Sequence, residues 1–415
     1  MSGTAQSSFS IPDDDGLIAS ALEEASIPTL MMSMIHMSGD ASLLDGALRP
    51  TGVFINEYQG YMSEEDKVTV RARALEMIKN FRDGGCQLPP SPSPATIHRM
   101  MNFIVAGDVP EDYVPMMLEE MELDGIDQRS DAWSDEVPAK ARAQHKVLVI
   151  GGGMSGVLAA YRLQEAGIPF VVIEKNSAVG GTWFENRYPG ARVDVGNHLY
   201  SYSFEPAHHW TQYFSQQKEL QQYFEGVVYH HQLEQHFRFN TEVTGAVFDE
   251  VSKEWTVNTT DKDGVEEQYV ANSVISAVGQ LNRPVLPDIP GVDSFVGQWC
   301  HSAAWDDSID CRGKKVVVVG SGASAFQLVP TIAGDVGQLT VFQRSAPWMF
   351  ENPIYHEEVP QGKKWCLQNL PFYTRWFRFL IFWPACDGAY DTVFVDPEWP
   401  HQERSINEMN DFVYQ

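Results

Sequence analysis

The spacing of apolar residues changes character near residue 146. Before that point it is helical: Leu17-Ile-Ala-Ser-Ala-Leu-Glu-Glu24 follows Asp13, Asp14 and Asp15, which suit a helix N-terminus, and the same period runs from Val68 to Phe81. Residues 1–140 therefore read as a helical N-terminal extension. Within it, the run Leu30-Met-Met-Ser-Met-Ile-His-Met37 fits either a partner surface or core packing. Core packing is favoured, because methionine fills irregular interior gaps. Pro89 to Pro94 predicts a stiff connector, and Asp131 to Gln144 a polar linker.

From Lys146 onward strand and helix signals alternate, the pattern of a parallel sheet covered by helices. Val147 to Ile150 predicts a buried strand, Ser155 to Ala166 a helix and Phe170 to Glu174 the next strand. The same order returns in Lys315 to Gly320, Ala323 to Ala333 and Leu339 to Phe342. Two related units follow, over residues 145–290 and 291–415.

Each unit carries glycines where its first strand turns into its helix. Gly151, Gly153 and Gly156 allow a tight turn and close backbone approach to a pyrophosphate at the helix N-terminus. Glu174 ends the second strand 23 residues after Gly151, near the spacing of about 20 at which an acid binds the adenosine ribose hydroxyls. In the second unit Gly320 and Gly322 are kept and Ala325 replaces the third glycine, with Ser321, Ser324 and Gln327 as further candidate contacts. Arg344 lies 24 residues after Gly320, followed by Ser345. A guanidinium cannot accept from a ribose diol but pairs with a 2′-phosphate, which favours NADP over NAD. The predicted fold class is α/β, with two Rossmann-like dinucleotide-binding domains behind the helical extension.

Charge and composition narrow the alternatives. A net charge of -27 repels phosphate backbones and acidic lipids, so neither nucleic acid nor an anionic membrane is an expected partner. The excess is concentrated: 24 acidic and 9 basic residues fall in the first 140. Five cysteines without a C-x-x-C pair suggest neither a disulfide framework nor a zinc site, no metal is expected, and a cytoplasmic setting fits. No window has the roughly 18 uncharged apolar residues of a spanning helix.

The segment Val179-Gly-Gly-Thr-Trp-Phe-Glu-Asn-Arg-Tyr-Pro-Gly-Ala-Arg-Val-Asp194 resembles a signature of the Baeyer-Villiger monooxygenases, class B flavoproteins. Phe295-Val-Gly-Gln-Trp-Cys-His301-Ser-Ala-Ala-Trp305-Asp306 is similar to that family's fingerprint at every fixed position. The resemblance implies FAD in the first domain and NADP in the second, and a ketone and O2 as substrates. It implies contacts to FAD from Thr182, Trp183, Tyr200 and Val243, a place for Arg192 facing the nicotinamide cofactor, and a catalytic role for Asp194 beside the flavin. From chemistry alone Asp194 equally fits a satisfied loop acid. His301 is expected to be structural, and Trp305 favours the carbon-inserting branch over relatives that oxygenate nitrogen or sulfur.

The family's downstream Lys-Arg pair has no counterpart between Arg344 and Gln415. A shortened chain with an incomplete NADP-binding domain is therefore expected, and a catalytically deficient flavoprotein is the alternative. The aromatic stretch Phe372 to Pro384 is expected to form a substrate-lid helix. The helical extension, with Ile27-Pro-Thr-Leu30 and Phe81-Arg-Asp-Gly84, is similar to that of 4-hydroxyacetophenone monooxygenases. It is also the candidate surface for a homodimer.

Overall fold

The computed structural model describes residues 9–122, 127–130, 133, 137–281, 283–347, 352–388, 394–403 and 405–407. Backbone contacts divide the chain into two compact units. One gathers 1–129, 195–214 and 352–415; the other holds 130–194 and 215–351.

In the first unit the helix boundaries are set by capping. Asp14 accepts from the Leu17 N–H at 2.9 Å and opens α1 (Asp15–Glu23). Asp14 thus caps the helix as expected and Asp15 adds negative charge in its first turn, while Asp13 pairs with Arg82. Helix α2 (Ile27–Ser38) ends at Gly39, whose φ of 72° suits glycine. Ser63 caps α3 (Glu64–Asp83), and Ser93 caps α4 (Pro94–Ile104), so Pro94 opens a helix at the end of the expected connector. Helix α5 (Tyr113–Met121) completes the N-terminal set. Met31, Met32, Met34 and Met37 are all buried, as core packing requires.

The second unit begins with the short α6 (Ala139–Gln144), so part of the expected linker is helical; residues 131, 132 and 134–136 lie outside the described residues. Then follow β1 (Val147–Ile150), α7 (Met154–Glu165), β2 (Phe170–Ile173), α8 (Thr182–Glu185) and α9 (Gln217–His230). The strands β3 (Phe237–Arg238), β4 (Thr241–Asp249), β5 (Glu254–Asp261), β6 (Glu266–Ala271) and β7 (Ser273–Ser276) come next. A parallel sheet runs in the order β3-β2-β1-β7, with Val147 to Ile150 in register with Phe170 to Ile173 on one side and Ser273 to Ser276 on the other. An antiparallel sheet β4-β5-β6 shares a core with it through Leu148, Ile173, Val257 and Ala271. The repeated grammar is found again in β8 (Lys315–Val319), α10 (Ala323–Ile332) and β9 (Gln338–Phe342), where β8 and β9 pair in parallel.

The chain then returns to the first unit with α11 (Gln361–Asn369) and α12 (Tyr373–Phe382). This corrects the lid expectation and the boundary drawn at 291–415. Tyr373, Trp376, Phe377, Phe379 and Leu380 are each at most 1% exposed, and Trp376 Nε1 donates to His36 Nε2 at 2.9 Å. Arg378 donates to Glu120 Oε1 at 3.0 Å and to the His198 carbonyl at 2.7 Å. An aromatic helix that buries its rings and satisfies its arginines in this way is core. No described helix is long and apolar enough to cross a membrane.

One charge inside this core is costly. The Lys363 ammonium lies 4.9 Å, 5.4 Å and 5.5 Å from the ring centres of Phe377, Tyr213 and Tyr58, and the residue is 3% exposed. The rings attract the cation, yet burial still pushes its pKa down to about 8. Below that value the folded unit holds a charge that the unfolded chain would keep in water. Lys363 alone should therefore add about 2 kcal/mol of stability between pH 8 and 10, at roughly 1.4 kcal/mol per pH unit. Buried Cys366, pushed up to about 12, keeps a proton that the unfolded chain releases and cancels that slope above about pH 9, so the wild type gains only about 1 kcal/mol. Above pH 10 the gain reverses, because buried Tyr58, Tyr213 and Tyr373 keep protons that the unfolded chain releases. Lys363→Met should stabilise the unit at pH 7 by about 1–3 kcal/mol and flatten the rise. Denaturant titrations at pH 7, 8, 9 and 10 measure both; an undiminished rise in the variant would refute the assignment.

Candidate functional site

The first glycine turn is as tight as backbone can be. Gly151, at φ 104°, donates to the Ile173 carbonyl at 2.8 Å, and a Cβ there would sit 2.6 Å from the Ala277 carbonyl oxygen. A Cβ at Gly156 would fall well inside contact of the Gly151 carbonyl oxygen and 2.9 Å from its carbon. Gly153 precedes α7, whose first N–H groups face outward from the turn. Glu174 is 4% exposed and accepts from Gly152 N–H at 2.5 Å and Asn176 N–H at 2.7 Å. Its carboxylate keeps further acceptor capacity at the end of β2. Sequence spacing placed this acid correctly beside the turn.

The segment from Gly180 to Asp194 starts on this turn and ends on the other nucleotide unit. At its start Gly180 N–H donates to Gly152 O at 3.0 Å, and a Cβ on Gly181, at φ 52°, would lie 2.8 Å from Gly153 Cα. The glycine pair therefore lets one loop lie on another. Thr182 and Trp183 open α8, with Trp183 buried and its carbonyl accepting from Gln217 Nε2. At its far end Gly190, at φ 84°, lies flat on α10: a Cβ there would stand 2.6 Å from the Gln327 carbonyl oxygen. Gln327 Nε2 donates to Asp194 Oδ1 at 2.8 Å and to Arg192 O at 3.0 Å. Its Oε1 accepts from Tyr188 Oη at 2.8 Å and from Arg192 N–H at 3.2 Å. Tyr188, Ala191, Leu328 and Ile332 form the apolar floor, and Trp305 packs against it.

The second turn repeats the first. Gly320, at φ 112°, donates to the Phe342 carbonyl at 2.8 Å, and Gly322 caps α10 in the extended conformation that Gly153 has at α7. Nothing lies within 4 Å of a Cβ built on Gly320 or Gly322, in contrast to the crowded first turn. Ser321 Oγ donates to Ser345 O at 3.4 Å, which joins two predicted contacts. The register sharpens the sequence offset. Since Gly151 N–H reaches Ile173 and Gly320 N–H reaches Phe342, the position equivalent to Glu174 is Gln343, and Arg344 stands one residue further, exposed.

The remaining predicted residues are dispersed. Tyr200 belongs to the first unit, where its N–H donates to Gly196 O. Val243 packs its side chain on the core shared by the two sheets of the second unit, and Arg192 is buried and bridges to Gln216. His301 Nδ1 accepts from Ala303 N–H at 3.1 Å and so caps the short helical turn that follows it. Tyr188 and Gly190 lie inside the signature that ends at Asp194, but sequence reasoning gave neither a role of its own.

Residues 148–364 match the family described as pyridine nucleotide-disulphide oxidoreductase. The chain is 34% identical over 395 residues to uncharacterized monooxygenase y4iD of Sinorhizobium fredii, covering 95% of this chain and 58% of that protein. A Baeyer-Villiger monooxygenase of Streptomyces coelicolor is 40% identical over 238 residues, 57% of this chain and 44% of its own. The chain thus spans about half the length of the curated relatives it matches. Among solved structures, cyclohexanone monooxygenase from Rhodococcus sp. bound to NADP+ is 36% identical over 54% of this chain and 42% of its own, with a TM-score of 0.49.

Proposed function

We infer that this chain, which belongs to the pyridine nucleotide-disulphide oxidoreductase family and within it to the Baeyer-Villiger monooxygenases, serves FAD- and NADPH-dependent oxygen insertion beside a ketone carbonyl. The observation that carries this reading is the single segment Gly180 to Asp194, which touches the first glycine turn at one end and the second nucleotide helix at the other. A carboxylate held between two dinucleotide cradles suits chemistry that passes between two cofactors.

The residues fit those groups. The crowded glycines let other groups approach the backbone where any Cβ would intrude, beside the N-terminus of α7, which suits the pyrophosphate of FAD. Glu174 would take the ribose hydroxyls with its remaining lone pairs, and Thr182, Trp183 and Val243 would line the same side. On the other unit, Ser321, Gly322 and Ser324 would approach the NADP pyrophosphate, and Arg344 and Ser345 its 2′-phosphate. When bound and reduced by NADPH, FAD would supply the activation of O2, one atom of which enters beside the carbonyl to give an ester or lactone while the other leaves as water. Asp194 would hold a fixed negative charge and hydrogen-bond acceptor beside the reacting centre, and Arg192 would orient the nicotinamide. By analogy with the resemblance of the helical extension to that of 4-hydroxyacetophenone monooxygenases, an aryl ketone or a polyketide-like ketone is the substrate class to test.

The test is product analysis under labelled O2 with NADPH, FAD and an aryl methyl ketone: one labelled oxygen in an ester is expected. A sulfoxide or N-oxide from competing substrates, without ester, would instead favour the heteroatom-oxygenating relatives. Arg344→Ala should weaken NADPH binding about tenfold to a hundredfold, the value of one hydrogen bond to a charged group. NADH binding should stay unchanged. Equal losses for the two nucleotides would remove Arg344 from the phosphate site.

A further inference from the structure

The segments that carry the two glycine turns correspond without a gap. One constant offset takes Gly151 onto Gly320, Gly153 onto Gly322, the paired Ile150 and Ile173 onto the paired Val319 and Phe342, and Glu174 onto Gln343. The chemistry differs where the second strand comes back to the turn. In the first unit Glu174 gathers two backbone donors, Gly152 N–H at 2.5 Å and Asn176 N–H at 2.7 Å. Gly152 makes room for that carboxylate, since a Cβ there would stand 3.1 Å from its Oε2, closer than ordinary contact. In the second unit the equivalents of Gly152, Glu174 and Asn176 are Ser321, Gln343 and Ser345. A side chain now stands on the turn, with its Oγ donating to Ser345 O at 3.4 Å, and no acid follows the strand. Among the described residues nothing accepts from Ser321 N–H or Ser345 N–H, and Gln343 is exposed.

We propose that Ser321 and Gln343 together set the nucleotide preference of the second turn, by leaving for the 2′-phosphate of NADPH the two backbone donors that the protein's own carboxylate takes in the first. The proposal rests on the reading of the second turn as a nucleotide site. An acid at position 343 would accept from both N–H groups and repel a phosphate; the neutral amide, bonded to neither, does not. The cofactor thus brings the anion that the second unit lacks. Arg344, in the place of Lys175, supplies attraction to that anion, whereas the pair at 321 and 343 supplies discrimination: a nucleotide with a free ribose diol has no charge to offer the two donors and finds no acid to receive its hydroxyls.

The experiment is calorimetric titration with NADP+ and NAD+, and with 2′,5′-ADP and 5′-AMP, which isolate the phosphate, at one ionic strength. The proteins are wild type, Gln343→Met, Gln343→Glu, and Gln343→Glu combined with Ser321→Gly. Wild type should bind each 2′-phosphorylated ligand about a hundredfold more tightly than its partner, the value of hydrogen bonds to a charged group. In the double variant, which restores the Gly152 and Glu174 arrangement, NADP+ should weaken about a hundredfold while NAD+ tightens about tenfold through its diol. Gln343→Glu alone should lose NADP+ equally but gain less for NAD+, because Ser321 crowds the carboxylate. Gln343→Met, neutral like wild type, should keep the wild-type preference. A preference for the 2′-phosphate that survives in the double variant overturns the proposal. So does its loss in Gln343→Met, which would make the amide itself the phosphate contact, or an equal weakening of NADP+ and NAD+ in the glutamate variants. A wild type that binds both nucleotides equally refutes the discrimination and leaves the nucleotide site standing. If wild type binds none of the four ligands, the reading of the second turn fails and the proposal with it.

Discussion

Gly156→Ala should abolish FAD binding and destabilise the second unit by about 3 kcal/mol, the upper range for overpacking. The reason is geometric: the added methyl would overlap the Gly151 carbonyl oxygen and lie 2.9 Å from its carbon, with Ala277 Cβ at 3.8 Å behind it. Backbone cannot rotate away as a side chain can. Helix α7 must therefore move off β1, and the N–H groups of its first turn leave the place where a pyrophosphate would be held. Gly153→Ala is the control, since its Cβ would meet Gly181 Cα at an ordinary 3.5 Å; it should cost the fold under about 1 kcal/mol. Flavin fluorescence quenching and urea unfolding separate the two effects. Wild-type FAD affinity in Gly156→Ala would remove this turn from the flavin site.

Acid should unfold the helical unit. His36 and His198 are 3% and 2% exposed, and burial pushes both to about 3 from an ordinary 6.5. His36 Nε2 accepts the Trp376 indole proton, so a protonated ring would face donor against donor. Among the described residues neither ring nitrogen of His198 has a hydrogen-bond partner, and Lys363, His208, Arg378 and Lys364 further oppose its charge. Below pH 6.5 the unfolded chain binds two protons that the folded unit refuses, so stability is present above 6.5 and is lost on acidification. Two such groups cost about 2.7 kcal/mol per pH unit. Roughly 4 kcal/mol is thus gone by pH 5, a large part of a typical domain's stability. Circular dichroism and Trp fluorescence follow the transition, and His36→Gln should halve its pH slope. A unit equally stable at pH 7 and pH 5 would contradict the burial argument.

The parts of the site that were legible beforehand are those a single residue must solve locally. Gly151 and Gly320 need positive φ, and a strand before and a helix after each announces a dinucleotide turn. Glu174 was found by counting, because a helix and a strand of ordinary length return the chain beside the first turn. At Arg344 the count is 24 rather than 23, and the pairing of β8 with β9 shows what that difference means, that Gln343 occupies the place equivalent to Glu174. The Gln327 clamp was not legible at all. Its partners lie 133 to 139 residues away, and nothing in a glutamine announces which loop will fold onto it. Residues 373–382 show the same limit. Their apolar periodicity states that a face is buried, but not that its cover is a helix near the N-terminus.

That last arrangement also sets a clock. Trp376 meets His36 across 340 residues of intervening chain, and a ribosome adds about 5–20 residues each second. For roughly 20 to 70 s after α2 emerges, the side of it that carries His36 has no α12 to close over it. The N-terminal helices therefore hold part of their core open, the state on which a chaperone acts and from which aggregation begins, while the whole nucleotide-binding unit is synthesised between the two halves of this core.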